Sequence, residues 1–145
     1  MSQTHFSAAL RQTIADHFKH RCCYCLSPEH IVGAEFTVDH IVPQALGGAS
    51  TEDNLCLACW RCNLLKRDRI AAVDPETGIT VRLFNPRLQN WFEHFEWQDG
   101  GLFVVGLTPM GRATVGALRL NRATLVNARR LWIQAGWHPP TPPEQ

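Results

Sequence analysis

No run of ~18 apolar residues occurs in the chain, which removes a membrane-spanning helix from consideration. The opening stretch MSQTHFSAALRQTIADHF lacks the basic start and apolar centre of a secretory signal, so the expected compartment is the cytoplasm. Internal repeats and low-complexity linkers are missing too, which argues against a solenoid or beads on a string. The remaining absence is local. Between Gly100 and Pro143 there is no acidic residue, yet Arg112, Arg119, Arg122, Arg129 and Arg130 fall there. A second basic group, Arg61, Lys66, Arg67 and Arg69, is offset only by Asp68, while acids gather at Asp74, Glu76, Glu93, Glu96 and Asp99. The net charge of +1 conceals this segregation, which suits a phosphate-facing surface and suits solvated helix faces equally.

What is present is an ordinary soluble domain: 145 residues, 45% apolar and 19% charged, long enough to bury a core without staples. Six cysteines in a reducing compartment then point to metal ligation rather than disulfides. Periodicity predicts a helix over residues 5–20, a tight turn at RCCYCLSPEH, a strand in AEFTVDHIV and a loop at PQALGGASTED. A brief strand at 54–57 and a helix over 63–72 follow. Further on, GITVRLF is a strand candidate, and HFEWQDGGLFVVGLT reads as a hairpin. Thr108 caps a helix with Pro109 at its first position, and Asn121 is expected to cap the last one. In that last helix Leu125, Ala128, Trp132 and Ala135 form the expected apolar stripe, and HPPTPPEQ reads as a frayed tail.

Two Cys-x-x-Cys turns set four thiolates for a tetrahedral ion such as zinc. The first pair is Cys22 and Cys25. The second is Cys56 with Cys59 or Cys59 with Cys62, the latter favoured because Cys62 stands where the helix is expected to begin. An iron–sulfur cluster is the rival, although the proline that often follows ferredoxin cysteines is missing. Four thiolates leave a zinc ion no open position, so such a site is structural. Chemistry must come from elsewhere, and Asp39-His40 at a strand end is a weak signal alone.

The ordered set CCYC, DHIVP, GG, NL and CWRCN, with a lysine three residues on, resembles the HNH endonuclease family over residues 22–69. RLFNPR, EHFEW, GLTPMGRATV and AGWHPP also look like a bacterial branch of that family with a C-terminal extension. The resemblance implies an α+β fold: a ββα-metal core, stapled by a four-cysteine zinc site, then a β-hairpin and two helices. It divides the chain into a nuclease core over 1–72 and an extension over 73–145 packed on it. It implies that His40 deprotonates the attacking water, that Asp39 ligates a catalytic Mg2+ or Mn2+, and that Asn54 steadies the loop and orients His40. Asn63 stands where the family commonly has histidine and would offer a neutral amide oxygen to the same ion; helix capping is its simpler role. Cys22, Cys25, Cys59 and Cys62 would hold the structural Zn2+, leaving Cys56 as a core residue. Lys66, Arg67 and Arg69 are the expected nucleic-acid contacts, with a solvated helix face as the alternative. The implied activity is hydrolysis of DNA phosphodiester bonds, most naturally in duplex DNA. The competing reading is a non-catalytic zinc-stabilised nucleic-acid-binding module.

Overall fold

The computed structural model describes residues 6–142, so the first residue expected in the N-terminal helix and the last three of the expected tail lie outside the described residues. The chain forms two compact units. One runs through Ile70 and includes Asn85–Leu88; the other takes Ala71–Phe84 and the chain from Gln89 onward. Both mix short helices with two-stranded antiparallel sheets, as an α+β chain should.

The first unit opens with α1 (Ala8–His17), whose first turn is closed by the Ser7 hydroxyl accepting from the Leu10 N–H. The helix ends earlier than residue 20 because Lys19 and His20 both take left-handed angles and reverse the chain. A short α2 (Glu29–Val32) then stops at Gly33, which adopts the left-handed cap conformation. Strand β1 (Thr37–His40) pairs antiparallel with β2 (Leu55–Ala58), with Asp39 opposite Cys56 and His40 opposite Leu55. Every residue of β2 is buried, so β2 is the centre of this unit's core with Ile14, Tyr24, Phe36 and Val38. The expected strand at 54–57 is therefore shifted by one residue, and Asn54 is freed to serve the loop.

Helix α3 (Trp60–Lys66) departs further from expectation, starting earlier and ending earlier than 63–72. Its cap is Cys59, whose sulfur accepts from the Cys62 N–H at 3.4 Å, so Asn63 is not a cap at all. It stops because Arg67 turns to φ 54 and ψ −136, angles no helix accommodates. The chain then enters the second unit as a strand.

In the second unit β3 (Ala71–Val73) and β4 (Thr80–Arg82) make one hairpin. A single-turn α4 (Trp91–His94) leads into β5 (Phe95–Gln98), which pairs with β6 (Phe103–Gly106). Gly106 lies so close to α5 (Pro109–Ala117) that a β-carbon there would stand 2.3 Å from the Arg112 nitrogen. Thr108 caps α5 as expected, accepting from the Gly111 N–H at 3.1 Å. His94 takes a structural place beside it, its Nδ1 2.7 Å from the same hydroxyl.

The last helix, α6 (Ala123–Ala135), is entered through Arg122 with no side-chain cap. Asn121 instead pairs its amide with both backbone groups of Val104. The buried face of α6 is Leu125, Val126, Arg129 and Trp132, while Ala135 is exposed. Arg129 is wholly buried, lying over the Trp97 ring and donating to the Leu102 carbonyl. It is a core residue rather than an exposed phosphate contact. The expected tail also begins docked: His138 is buried, its Nε2 2.9 Å from the Gly101 carbonyl oxygen.

Candidate metal centre

Two knuckles face each other in the first unit. In one, the Leu26 N–H donates back to the Cys22 carbonyl and Leu26 takes a left-handed conformation, which curls Cys22 and Cys25 to one side. The intervening Cys23 N–H donates to the Leu57 carbonyl at 2.8 Å and so pins this turn onto β2. The other knuckle is the start of α3. Its helical rise carries Cys62 back over Cys59, and the ligand atoms of Cys22, Cys25, Cys59 and Cys62 all lie within 4.8 Å of one another. The Cys25 and Cys59 sulfurs are 3.8 Å apart. Sulfurs about 2.3 Å from a tetrahedral zinc stand ~3.8 Å from each other, so the set can hold zinc. Burial pushes the Cys22 thiol well up, while hydrogen bonding from Cys22 pulls Cys25 and Cys59 down. Closely packed buried thiols that share protons this way are relieved by a cation in their midst.

Cys56 is outside the set. It is buried on β2, and its thiol neighbours that of Cys23 in the core.

The second cluster lies at the open end of β1. Asp39 and His40 sit half-buried at the strand's last two positions, and the chain then departs through a loop held by Asn54. The Asn54 amide oxygen accepts from the Val42 N–H at 2.9 Å, and its nitrogen donates to the carbonyls of Val42 and Ala49. Gly48 passes so close beneath that a β-carbon would stand 1.7 Å from the Val42 carbonyl oxygen. This clamp fixes the loop that carries Ser50, and the Ser50 hydroxyl lies 2.8 Å from His40 Nε2. The Nδ1 edge of the ring has no hydrogen-bond partner among the described residues.

Asn63 projects from α3 toward Asp39. With its nitrogen turned inward the amide donates to both carboxylate oxygens, at 3.3 and 3.1 Å; turned the other way, its oxygen occupies that place. Two oxygens separated by ~3 Å match neighbouring vertices of an octahedron with ligands at about 2.1 Å, so the pair fits a hard divalent ion. Burial pushes the Asp39 carboxyl up, opposed by the Lys66 ammonium and the His40 N–H. A carboxylate withdrawn from water without a full counter-charge has the same need of a cation.

The HNH endonuclease family model matches residues 22–69. That span contains both clusters. Over that span the chain is similar to an HNH domain. No curated protein and no solved structure matches the chain.

Within the HNH domain the basic residues sit differently from expectation. Lys66 is only 2% exposed, and its ammonium donates to the His40 carbonyl at 3.3 Å, so it braces the end of β1 instead of facing solvent. Lys66 and Arg69 do not share a helix face, because the helix has ended between them. Arg69 folds back to donate to the Leu65 carbonyl at 2.6 Å, satisfying the end of α3. Arg67 alone of the three projects into solvent without such a role, and Arg61, in the first turn of α3, is exposed as well. Arg112, outside the domain, forms a two-pronged pair with the buried carboxylate of Asp74. Sequence reasoning missed Ser50, for which no motif exists, and the Cys23–Cys56 contact, which depends on the docking of the first knuckle onto β2.

Proposed function

We propose that the HNH domain is a metal-dependent endonuclease hydrolysing DNA phosphodiester bonds, with Zn2+ on Cys22, Cys25, Cys59 and Cys62 as its structural staple. The observation that carries this reading is the half-buried Asp39 carboxylate facing the Asn63 amide, one residue before His40 on β1. Binding alone does not need a half-buried carboxylate facing an amide next to an imidazole.

His40 acts as general base. Its Nε2–H donates to Ser50 Oγ, which leaves the lone pair of Nδ1 to take a proton from the attacking water. The water oxygen bonds to phosphorus as the bond to the leaving sugar oxygen breaks. Asp39 and Asn63 would hold Mg2+ or Mn2+, which when bound supplies Lewis-acid stabilisation of the phosphate and leaving oxygens. Asn54 holds the loop so that Ser50 keeps the ring oriented, and Lys66 fixes the backbone at His40. Arg67 meets the phosphate backbone of the DNA.

The test is nicking of supercoiled plasmid with magnesium or manganese, with and without chelator. Wild type is expected to nick in a metal-dependent way, and His40→Ala to lose about 100-fold or more of that rate, in line with loss of a general base. Equal inactivity of both proteins across metals and across duplex, single-stranded and branched substrates would leave the non-catalytic nucleic-acid-binding module as the surviving reading.

A further inference from the structure

Two side chains of α3 take no part in the proposed hydrolysis. Trp60 and Leu64 are 68% and 43% exposed, an unusual position for a tryptophan and a leucine one turn apart on the same face. No described ring stacks on the Trp60 indole. Solitary exposed apolar residues are common on any protein, but this pair brackets Asn63, three residues after Trp60 and one before Leu64. Residues three or four apart share one helical face, with β-carbons roughly 5–6 Å apart. The apolar face therefore begins one turn from the oxygen cluster. Arg61, next to Trp60 in the chain, and Arg67, three residues past Leu64, are exposed against the single acid Asp68, so a negatively charged ligand with a flat or apolar part suits this face.

Nucleic acid with an unstacked base has that chemistry. In continuous duplex the π-faces are occupied by neighbouring bases, and an indole can reach one only by prising a step apart, which costs free energy. In a single strand, gap or flap the face is already free, and stacking on an aromatic ring is favourable whichever base is presented. We propose that Trp60, backed by Leu64, is a stacking platform for an unpaired base next to the scissile phosphate, so that the substrate class is single-stranded or branched DNA. That the neighbouring phosphate is the one cut rests on the endonuclease reading; the platform itself is a binding site and is tested without cutting.

The measurement is fluorescence anisotropy with a labelled oligothymidylate and a fully paired duplex of equal length, in a magnesium-free buffer that leaves the structural zinc in place. Wild type, Trp60→Ala and Trp60→Phe are compared, with thermal melting and bound-zinc content as checks on folding. The expected result is that Trp60→Ala weakens the single strand about ten-fold or more and the duplex far less, while Trp60→Phe retains most of the single-strand affinity, since a ring remains to stack on. Equal losses on both probes, or no loss on either, overturn the proposal. So does Trp60→Phe behaving like Trp60→Ala. A change in oligomeric mass with unaltered nucleic-acid affinity would assign the face to a second copy and overturn it as well. Because no cleavage is measured, a wild type inactive on plasmid and on single-stranded and branched DNA alike would sink the nuclease reading and leave this result standing.

Discussion

A carboxylate half-withdrawn from water and facing an amide is at ease only with a cation or a proton beside it, and Asp39 is such a group. Its carboxyl is raised by burial, so the ionised form costs folding stability above the usual carboxylate range. Asp39→Asn is therefore expected to melt at an equal or higher temperature than wild type in magnesium-free buffer. Added magnesium should raise the melting point of wild type and not that of the variant, and cleavage should fall to background. A variant that fails to fold would mean that Asp39 belongs to the scaffold. Asp74 has the opposite sign. The Arg112 guanidinium, with the Glu76 N–H and Thr77 hydroxyl, holds its carboxyl far below the ordinary value. Its contribution is thus fully present at neutral pH and is lost as pH falls through the ordinary carboxylate range toward that depressed value. Asp74→Asn should melt lower than wild type at about pH 7, and the gap should close on acidification, as followed by circular dichroism. At this scale the chemically distinctive residues were legible, because Asp39, His40, Asn54 and Asn63 lie in an ordered motif. Ser50 was not, since a serine in a loop carries no pattern until the loop closes on the imidazole.

Among the elements, α3 does the most positioning. It presents Cys62 to the thiolate cluster, Asn63 to Asp39 and Lys66 to the His40 carbonyl. Its limits could not be read from the chain because its cap is a cysteine sulfur, absent from the usual Ser, Thr, Asp and Asn repertoire, and because its end is a strained arginine. At φ 54 and ψ −136, Arg67 occupies a region that favours glycine. Arg67→Gly is expected to stabilise the domain by about 1 kcal/mol in denaturant melts, in line with release of backbone strain. The same variant should bind DNA more weakly and with a shallower salt dependence, by roughly one phosphate contact. Tighter or unchanged binding would remove Arg67 from the interface. A side chain kept at a conformational cost is otherwise hard to explain. The hairpin of β5 and β6 and the Thr108 cap were readable, because their signals, Asp-Gly-Gly between β-rich runs and Thr-Pro ahead of an apolar series, are local.

For the whole molecule, the proposed zinc on the four cysteines is expected to decide whether the first unit folds. Its core is built around β2, and both knuckles dock there, one through the Cys23 N–H to Leu57 and the other through the helix that continues the strand. Metal affinity in such a site is folding free energy. Cys62→Ser is expected to lose zinc, measured by elemental analysis, and with it the cooperative melting of this unit. Cys56→Ser should keep its zinc, at the cost of a polar hydroxyl in place of the thiol facing Cys23. The reverse outcome would make Cys56 a ligand and Cys62 the spare.

By itself the sequence determined the mixed α+β character, the placing of two Cys-x-x-Cys turns about an Asp-His strand end, and a family resemblance that the family model bears out over residues 22–69. These properties follow from composition, spacing and local turn chemistry, which act over a few residues. Only the tertiary structure decided that Lys66 and Arg129 are buried, that Asn54 clamps Val42 while Ser50 holds His40, and that Trp60 stands in solvent. Each of those depends on which surfaces meet after strands register and helices end. A lysine covered by a strand and a tryptophan left uncovered look alike until that packing is complete.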